Sequence, residues 1–167
     1  DVIVRRLGIV GKHAGDGVSA LFLTEQLHSA SGAARSALET ARGLPEAIRE
    51  VARGLGDEGL PIDPDDCRLK IAVHWGPSLY VGQVASQGRL EITALGDEMN
   101  EAARIEQCAG GGQVLASKAL VERLDEQDVA ALGLDPSRVV YRAIADIEGV
   151  DEKAKRDAGS VAVADLL

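Results

Sequence analysis

A chain of 167 residues is long enough for one domain with a sheet, several helices and a buried core. Its net charge of -9 argues against nucleic-acid binding and against contact with anionic membranes, because both need a basic face. Hydrophobic residues make up 46% of the chain but aromatic residues only 2%, so the core has to be built from Val, Leu, Ile and Ala.

The cysteines and the hydropathy pattern indicate a cytoplasmic domain. Cys67 and Cys108 lie far apart, which excludes the ligand spacing of a zinc site and favours buried thiols in a reducing compartment. The sequence shows no signal peptide and no apolar run long enough to cross a bilayer. We therefore expect a domain without membrane contact, and its abrupt start indicates an excerpt.

The N-terminal part is predicted to form a helix end, a hairpin and a long helix. Residues 2–7 are typical of a helix end stopped by a glycine. Two short apolar runs flank Gly-Asp-Gly at 15–17, a sequence that supplies the positive φ of a β-hairpin turn. After a loop at 29–32 that offers a helix N-cap, apolar residues at helical spacing predict a helix over 33–55, kinked or rebuilt at Pro45.

The rest of the chain alternates predicted strands and helices. Period-two alternation predicts a strand over 68–75, and two further extended segments at 79–84 and 90–94 are joined by a turn at Gln87-Gly88. Asp97 is predicted to cap a helix over 98–108, with Met99, Ala102, Ala103 and Ile105 inward. The remaining predictions are a loop at 56–66, strands at 113–116, 139–143 and 161–163, and a short helix from Ser117 to Leu124. This order favours an α+β sandwich related to the ferredoxin-like βαββαβ plan, with a C-terminal extension.

Three segments together resemble the class III nucleotidyl cyclases. Residues 12–17, Lys-His-Ala-Gly-Asp-Gly, resemble that family's Lys-x-x-Gly-Asp hairpin. Residues 74–84, from His-Trp-Gly to Val-Gly-Gln-Val, resemble its central His-x-Gly strand and return. Residues 95–106 resemble its Gly-Asp-x-x-Asn-x-Ala-x-Arg helix. Because the segments follow in this order across most of the chain, we interpret residues 1–167 as one cyclase catalytic domain.

The resemblance implies an adenylate cyclase that converts ATP into 3′,5′-cyclic AMP and pyrophosphate. The ribose 3′-hydroxyl attacks the α-phosphate, a step that needs Mg²⁺ or Mn²⁺, two ions per site, to activate the hydroxyl and neutralise phosphate oxygens. Asp16 corresponds to the second of the family's two metal-binding aspartates, and a hairpin backbone suits a hard oxygen ligand. The alternative is that Asp16 only satisfies its turn.

Asn100 and Arg104 are the catalytic residues that the resemblance implies. Their i, i+4 spacing places them on one helix face. In the family these positions orient the ribose and stabilise charge on the α-phosphate, a role that suits a permanently charged guanidinium. The alternative is a solvated arginine and an asparagine bonded to the preceding loop.

The substrate-binding residues implied are Lys12 and Thr93 for the base and Lys155 or Lys153 for the terminal phosphates. A lysine donor matches a ring nitrogen of adenine, and a threonine hydroxyl matches the exocyclic amino group. Guanine-specific members carry Glu and Cys at the first two positions, so ATP is favoured over GTP. Thr93 as an ordinary strand residue remains the alternative. Both C-terminal lysines precede the last predicted strand, and spacing slightly favours Lys155. His74 is interpreted as a structural strand residue.

Two further expectations concern completeness and assembly. The family's first metal-binding aspartate lies on an opening strand that has no counterpart here, so we expect an N-terminally incomplete domain that is inactive alone. The family's geometry implies a head-to-tail homodimer with shared active sites, in which the Asp16 hairpin of one protomer faces the Asn100 helix of the other.

Three other interpretations remain open at this stage. The first is a non-catalytic cyclase-homology module that dimerises, binds nucleotide and signals. The second is a diguanylate cyclase, which needs a Gly-Gly-Asp/Glu-Glu-Phe hairpin that residues 15–18 do not supply. The third is an unrelated ferredoxin-like binding domain.

Overall fold

A computed structural model describes residues 1–86 and 89–166 of the chain. The helices are α1 (Val2–Arg5), α2 (Thr24–Leu27), α3 (Ala30–Asp57), α4 (Asp97–Cys108), α5 (Lys118–Val121), α6 (Glu126–Ala131) and α7 (Glu152–Ala158). The strands are β1 (Ile9–Ala14), β2 (Gly17–Leu21), β3 (Ile71–Val73), β4 (Tyr80–Ser86), β5 (Arg89–Leu95), β6 (Val114–Ser117), β7 (Arg142–Ala143) and β8 (Ala162–Asp165). Short 3₁₀ turns occur at Pro64–Asp66, Pro136–Arg138 and Ile144–Asp146.

A four-stranded sheet in the order β3-β6-β8-β7 forms the centre of the fold. Strands β3 and β6 are parallel, and the other two pairs are antiparallel. Two hairpins, β1–β2 and β4–β5, stand outside this sheet, and β1 lies against β5. This mixed arrangement confirms the predicted α+β class and positions the candidate site on the hairpins and the neighbouring helices.

Helices cover both faces of the sheet because the inner strand β6 points apolar side chains alternately to one face and to the other. Val114 and Ala116 of β6 pack with the alanine-rich face of α3, whose buried residues include Leu38. Leu115, between them, packs with Ile105 of α4 on the opposite face. Successive side chains of a strand point to opposite faces of the sheet, and those of β6 are all buried. Helix α4 therefore packs on one face and helix α3 on the other.

Helix α3 is longer than expected. It begins at Ala30, and the side chain of the N-cap residue Ser29 accepts a hydrogen bond from the Gly32 amide at 2.8 Å. The predicted N-cap is therefore confirmed, whereas the predicted loop is wrong at residues 30–32, which are helical. The helix runs through Pro45 without a break. It buries Ala41 and Ala52 on either side of the proline, so tertiary packing outweighs the lost backbone hydrogen bond.

Several predicted bounds are corrected by the sheet's pairing. The strand expected over 68–75 is limited to β3, which pairs with only three residues of β6, and the strand expected over 139–143 is limited to β7. Helix α4 begins at Asp97 itself, and Gly96 occupies the cap position without a side-chain bond. The predicted turn at Gln87-Gly88 lies outside the described residues.

The structure shows how exposed the two cysteines are and whether a described helix could span a membrane. Cys67 and Cys108 are free and only half-buried, so the expectation of buried thiols is wrong: Cys67 follows the 3₁₀ turn Pro64–Asp66, and Cys108 is the last residue of α4. Among the described helices, none combines the length and the apolar character needed to cross a bilayer.

Candidate functional site

Helix α4 positions Asn100 and Arg104 from a tight turn at Gly96. Gly96 has φ 152° and ψ 164°, a conformation that is essentially restricted to glycine. This turn leads β5 directly into α4, and Ile105, with no exposed surface, anchors the helix against the sheet. The backbone therefore requires the glycine at the start of the motif, and this turn fixes where the two polar side chains of the helix stand.

The Arg104 guanidinium is held by its own chain. Its Nη1 donates a hydrogen bond to Gln107 Oε1 at 2.8 Å, and its Nε lies 3.4 Å from Asp157 Oδ2 of α7. The side chain is only 15% exposed, whereas Asn100 is exposed and makes no side-chain hydrogen bond within the described chain. Two residues that the sequence placed on one face thus differ in how firmly they are held.

Helix α7 carries both candidate phosphate-binding lysines beside α4. Its first turn is capped by Asp151, whose carboxylate accepts a hydrogen bond from the Ala154 amide at 2.6 Å. Lys153 and Lys155 are exposed, and Lys155 Nζ lies 3.0 Å from Glu152 Oε1. Both lysines therefore lie on the helix that packs against α4, and their exposure does not distinguish one candidate from the other.

The β1–β2 hairpin presents Asp16 at its tip. Ala14 pairs with Gly17, so Gly15 and Asp16 form a two-residue turn, and Gly15 has φ 62°. The Asp16 carboxylate is exposed, and no described residue forms an ion pair or hydrogen bond with it. Among the described residues no such bond joins Asp16 to α4 or α7, so Asp16 and Arg104 are not in direct contact within one protomer.

Lys12 and Thr93 lie on neighbouring strands. Gly11 of β1 approaches β5 so closely that a Cβ added there would stand 3.4 Å from the Ile92 carbonyl oxygen. Lys12 follows Gly11 and is exposed, and Thr93 follows Ile92 and is half-buried opposite Gly82. The fold thus brings the two candidate base-recognition positions together from segments about eighty residues apart in sequence.

The donor set near Asp16 fits a divalent cation only in part. An exposed, unpaired carboxylate on a tight turn is a suitable hard ligand for Mg²⁺ or Mn²⁺. Among residues 1–86 and 89–166, however, no three His, Cys, Asp or Glu side chains cluster closely enough to hold a metal ion. Asp16 therefore qualifies as one ligand of a site that needs further oxygens from elsewhere.

Sequence reasoning missed the environment of His74. Its imidazole, 6% exposed, lies just past β3 with Nε2 3.0 Å from Glu101 Oε2 of α4, although neither ring nitrogen has an aligned hydrogen-bond partner. Burial lowers the pKa of His74 below its ordinary value, and the Glu101 carboxylate opposes that change. Both residues belong to the segments that carry the family resemblance, but nothing in their spacing predicted the contact.

Comparisons with known proteins place this geometry in a known fold. No family model matches the sequence, and no curated protein is significantly similar to it. The solved guanylyl cyclase Cya2 is 24% identical with a TM-score of 0.64, over 99% of this chain and 72% of that one. The adenylyl cyclase CyaB from P. aeruginosa is 15% identical with a TM-score of 0.59, over 99% of this chain and 74% of that one.

A third solved structure agrees with the first two. An adenylate cyclase from Trypanosoma brucei, solved in its monomeric state, is 19% identical with a TM-score of 0.53, over 98% of this chain and 73% of that one. The matches span nearly the whole chain and include cyclases of both base specificities. The chain therefore has the fold of the class III adenylyl and guanylyl cyclase catalytic domains.

Proposed function

We propose that residues 1–167 form the catalytic domain of a cytoplasmic adenylate cyclase, which converts ATP into 3′,5′-cyclic AMP and pyrophosphate. The observation that carries this proposal is the cyclase fold of a chain whose sequence also contains the three motif segments. Lys12 and Thr93 stand on adjacent strands, and Asn100 and Arg104 stand on the helix that follows. Solved relatives of both base specificities share the fold, so the choice of ATP depends on the residues themselves.

Base recognition is assigned to Lys12 and Thr93. The Lys12 ammonium is exposed and has no ion-pair partner in the described part of the chain, so it is available to donate to a ring nitrogen of adenine. The Thr93 hydroxyl can accept from the exocyclic amino group. Guanine reverses these donor and acceptor positions, and because a lysine ammonium cannot accept a hydrogen bond, the ring N–H of guanine would be left unpaired.

Transition-state stabilisation is assigned to Arg104 and ribose orientation to Asn100. The reaction displaces pyrophosphate by attack of the 3′-hydroxyl on the α-phosphate, which builds negative charge on the phosphate oxygens. A pre-positioned guanidinium stabilises that charge without reorganising in the transition state. Lys155, or Lys153 on the same helix, would neutralise the terminal phosphates.

The metal dependence rests on Asp16, which would bind Mg²⁺ or Mn²⁺. A bound divalent cation would supply charge neutralisation at the phosphates and make the 3′-hydroxyl more acidic. The Asp16 carboxylate contributes one oxygen ligand, and its exposed position on the hairpin leaves it open to a nucleotide and to further ligands. An acidic protein needs such a cation to tolerate a triphosphate.

A head-to-tail homodimer would complete the site. Within one protomer the Asp16 hairpin makes no bond to α4, so a symmetric partner is the natural source of the missing half. Exposed apolar side chains on the β4–β5 hairpin support such an interface, since Tyr80, 79% exposed, and Leu95, 64% exposed, are paired in register. No nucleic-acid partner is proposed for this acidic domain.

The decisive assay compares nucleotides and metals on the full-length protein. Cyclic AMP formation from ATP, with Mg²⁺ and separately with Mn²⁺, should exceed cyclic GMP formation from GTP. Preferential use of GTP would overturn the assignment of Lys12 and Thr93. Binding of ATP without turnover under every condition would instead support a non-catalytic module, which is consistent with the incomplete metal-ligand set of the described residues.

Complementation tests the shared site. Full-length Asp16→Ala and Arg104→Ala proteins should each retain only a small, measurable residual activity alone, and an equimolar mixture should recover activity because mixed dimers contain one intact site. Matched mixtures of each variant with itself provide the control. Recovery should approach about a quarter of the wild-type rate if subunits exchange freely, since half the dimers are mixed and each has one of two sites. Two folded variants that never complement would refute the dimeric site.

A further inference from the structure

We propose that Asp157 of α7 is a positioning residue that holds the Arg104 guanidinium in the orientation needed to bind a phosphate. The inference rests on the proposed function, because it assigns a role to a residue of the same site. Asp157 lies outside all three motif segments, and no sequence pattern singled it out. Its carboxylate stands 3.4 Å from Arg104 Nε, across the contact between α7 and α4.

The guanidinium is held by one hydrogen bond and one ion-pair contact. Nη1 donates to Gln107 Oε1 at 2.8 Å, one turn along the same helix, and Nε faces Asp157 on the neighbouring helix. One hydrogen bond and one charged contact at different nitrogens together restrict the direction of the planar guanidinium. Nη2 makes no hydrogen bond to a described residue, so it is a donor available to a phosphate oxygen, whereas Nε, buried at the Asp157 contact, has no aligned hydrogen-bond partner.

The carboxylate itself is fixed by the packing of α7. Ala154, three residues before Asp157, and Ala158, directly after it, are buried with Ile105 in one cluster. The Asp151 cap holds the start of the same short helix. Asp157 is 30% exposed and therefore stands at the rim of this cluster, where a side chain of α4 can reach it.

The low exposure of Arg104 explains why the contact matters. At 15% exposure the side chain is largely desolvated, and arginine keeps its charge under all ordinary conditions. Without Asp157, the guanidinium would lose its counterion in a poorly hydrated position, and the side chain would turn toward water. A mobile Arg104 guanidinium would then have to stabilise the charge on the phosphate. This loss of positioning lowers kcat more than it weakens substrate binding.

A double-mutant cycle on the full-length protein tests the proposal. Asp157→Ala should lower kcat about 10-fold with KM changed less than about 2-fold, and Asp157→Asn, which keeps an acceptor oxygen, should lose less. In an Arg104→Ala background, Asp157→Ala should cause no further loss, because the residue acts only through Arg104. An unchanged or raised kcat in Asp157→Ala, or an additive loss in the double variant, would overturn the assignment.

Arg156→Gln is the matched control. Arg156 Nε lies 3.0 Å from the other oxygen of Asp157, and its side chain is 71% exposed. Removing it perturbs the same carboxylate and the same helix while leaving the Arg104 contact intact. Its kcat should stay within about 2-fold of wild type, as expected for an exposed ion pair.

A second measurement separates this inference from the cyclase proposal. In protein labelled with ¹⁵N-arginine, the Nε–Hε resonance of Arg104, assigned by its loss in Arg104→Lys, should shift in Asp157→Asn and stay in place in Arg156→Gln. An unshifted resonance in Asp157→Asn would refute the holding contact. A wild-type protein that forms no cyclic nucleotide, yet shows this shift, would refute the cyclase function while leaving the contact established.

Discussion

The two sides of the proposed site differ in what holds their side chains. On the helix side, Arg104 is 15% exposed and contacts two residues, and Ile105 next to it is fully buried against the sheet. On the hairpin side, Lys12 and Asp16 are exposed, and neither side chain has a partner in the described chain. One side is complete within a single protomer, and the other is open.

This difference indicates what positions the side chains on each side of the proposed site. Helix α4 is held by α7 and by the central sheet, so its polar groups are positioned before any ligand arrives. The hairpins lie outside the central sheet, and β4–β5 exposes Tyr80 and Leu95. We infer that the helix side contributes a rigid wall of the site, whereas the hairpin side gains its final environment from a partner and from bound nucleotide.

Removing the anchor of the helix side should have the largest effect. Ile105→Ala deletes a fully buried side chain between α4, β6 and α7, and it should lower the free energy of unfolding by about 2–5 kcal/mol. Urea denaturation followed by circular dichroism measures the change. A loss below about 1 kcal/mol would mean that the cluster collapses without cost, and the contrast between the two sides would fail.

The turn that starts the helix side should be next in importance. Gly96→Ala forces a Cβ onto a residue with φ 152° and should cost about 1–3 kcal/mol of unfolding free energy. Gly82→Ala is the matched control on the hairpin side, because an added Cβ meets nothing within 4 Å and φ is not positive. Comparable losses in both variants, measured in the same denaturation assay, would contradict the backbone requirement at Gly96.

The elements that sequence predicted well are those in which a local signal and the tertiary fold agree. The Gly15-Asp16 turn gives the first hairpin, and the start of α4 lies within one residue of its expected position because the backbone conformation there is essentially open only to a glycine such as Gly96. The strand expected over 139–143 is shorter because Val140, 78% exposed, has β propensity but nothing to pair with.

The sequence missed two kinds of feature. One is a helix whose only buried apolar residues are alanines, and the other is a contact between residues far apart in the sequence. Helix α7 buries only Ala154 and Ala158 at i, i+4, a pattern too weak to stand out among charged residues. Ala103 was expected inward but is exposed, and the contact of Arg104 with Asp157 depends on the docking of α7. Candidate residue types were accessible from motifs, whereas their partners required the packed fold.

A pH dependence on the helix side should be smaller. Burial lowers the pKa of His74 below its ordinary 6.5, so the folded protein disfavours the proton that the unfolded chain takes up near that value. The contribution of His74 to stability is therefore present above pH 6.5 and lost as the pH falls through its folded pKa, with Glu101 and Glu98 opposing the loss.

The measurement is the difference between wild type and His74→Gln in urea unfolding at several pH values. Other acids, such as Asp128 with its pKa lowered by Ser31 and Arg35, titrate in both proteins and cancel. The wild-type free energy of unfolding should fall more steeply than that of the variant as the pH drops from about 7.5 to about 5.5. Parallel curves would show that Glu101 compensates the burial of the imidazole completely.

The smallest effect on the folded protomer is expected from the hairpin side. Leu95→Ala removes as many side-chain atoms as Ile105→Ala, but the leucine is 64% exposed, so the free energy of unfolding should change by less than about 0.5 kcal/mol. If this surface meets a second copy, the same substitution should weaken dimerisation about 10-fold, measured by sedimentation velocity over a concentration series. Activity per protomer should then fall at low protein concentration and recover at high concentration. A variant that is destabilised as a monomer, or that dimerises like wild type, would place the interface elsewhere, since an exposed leucine affects association only where a partner covers it.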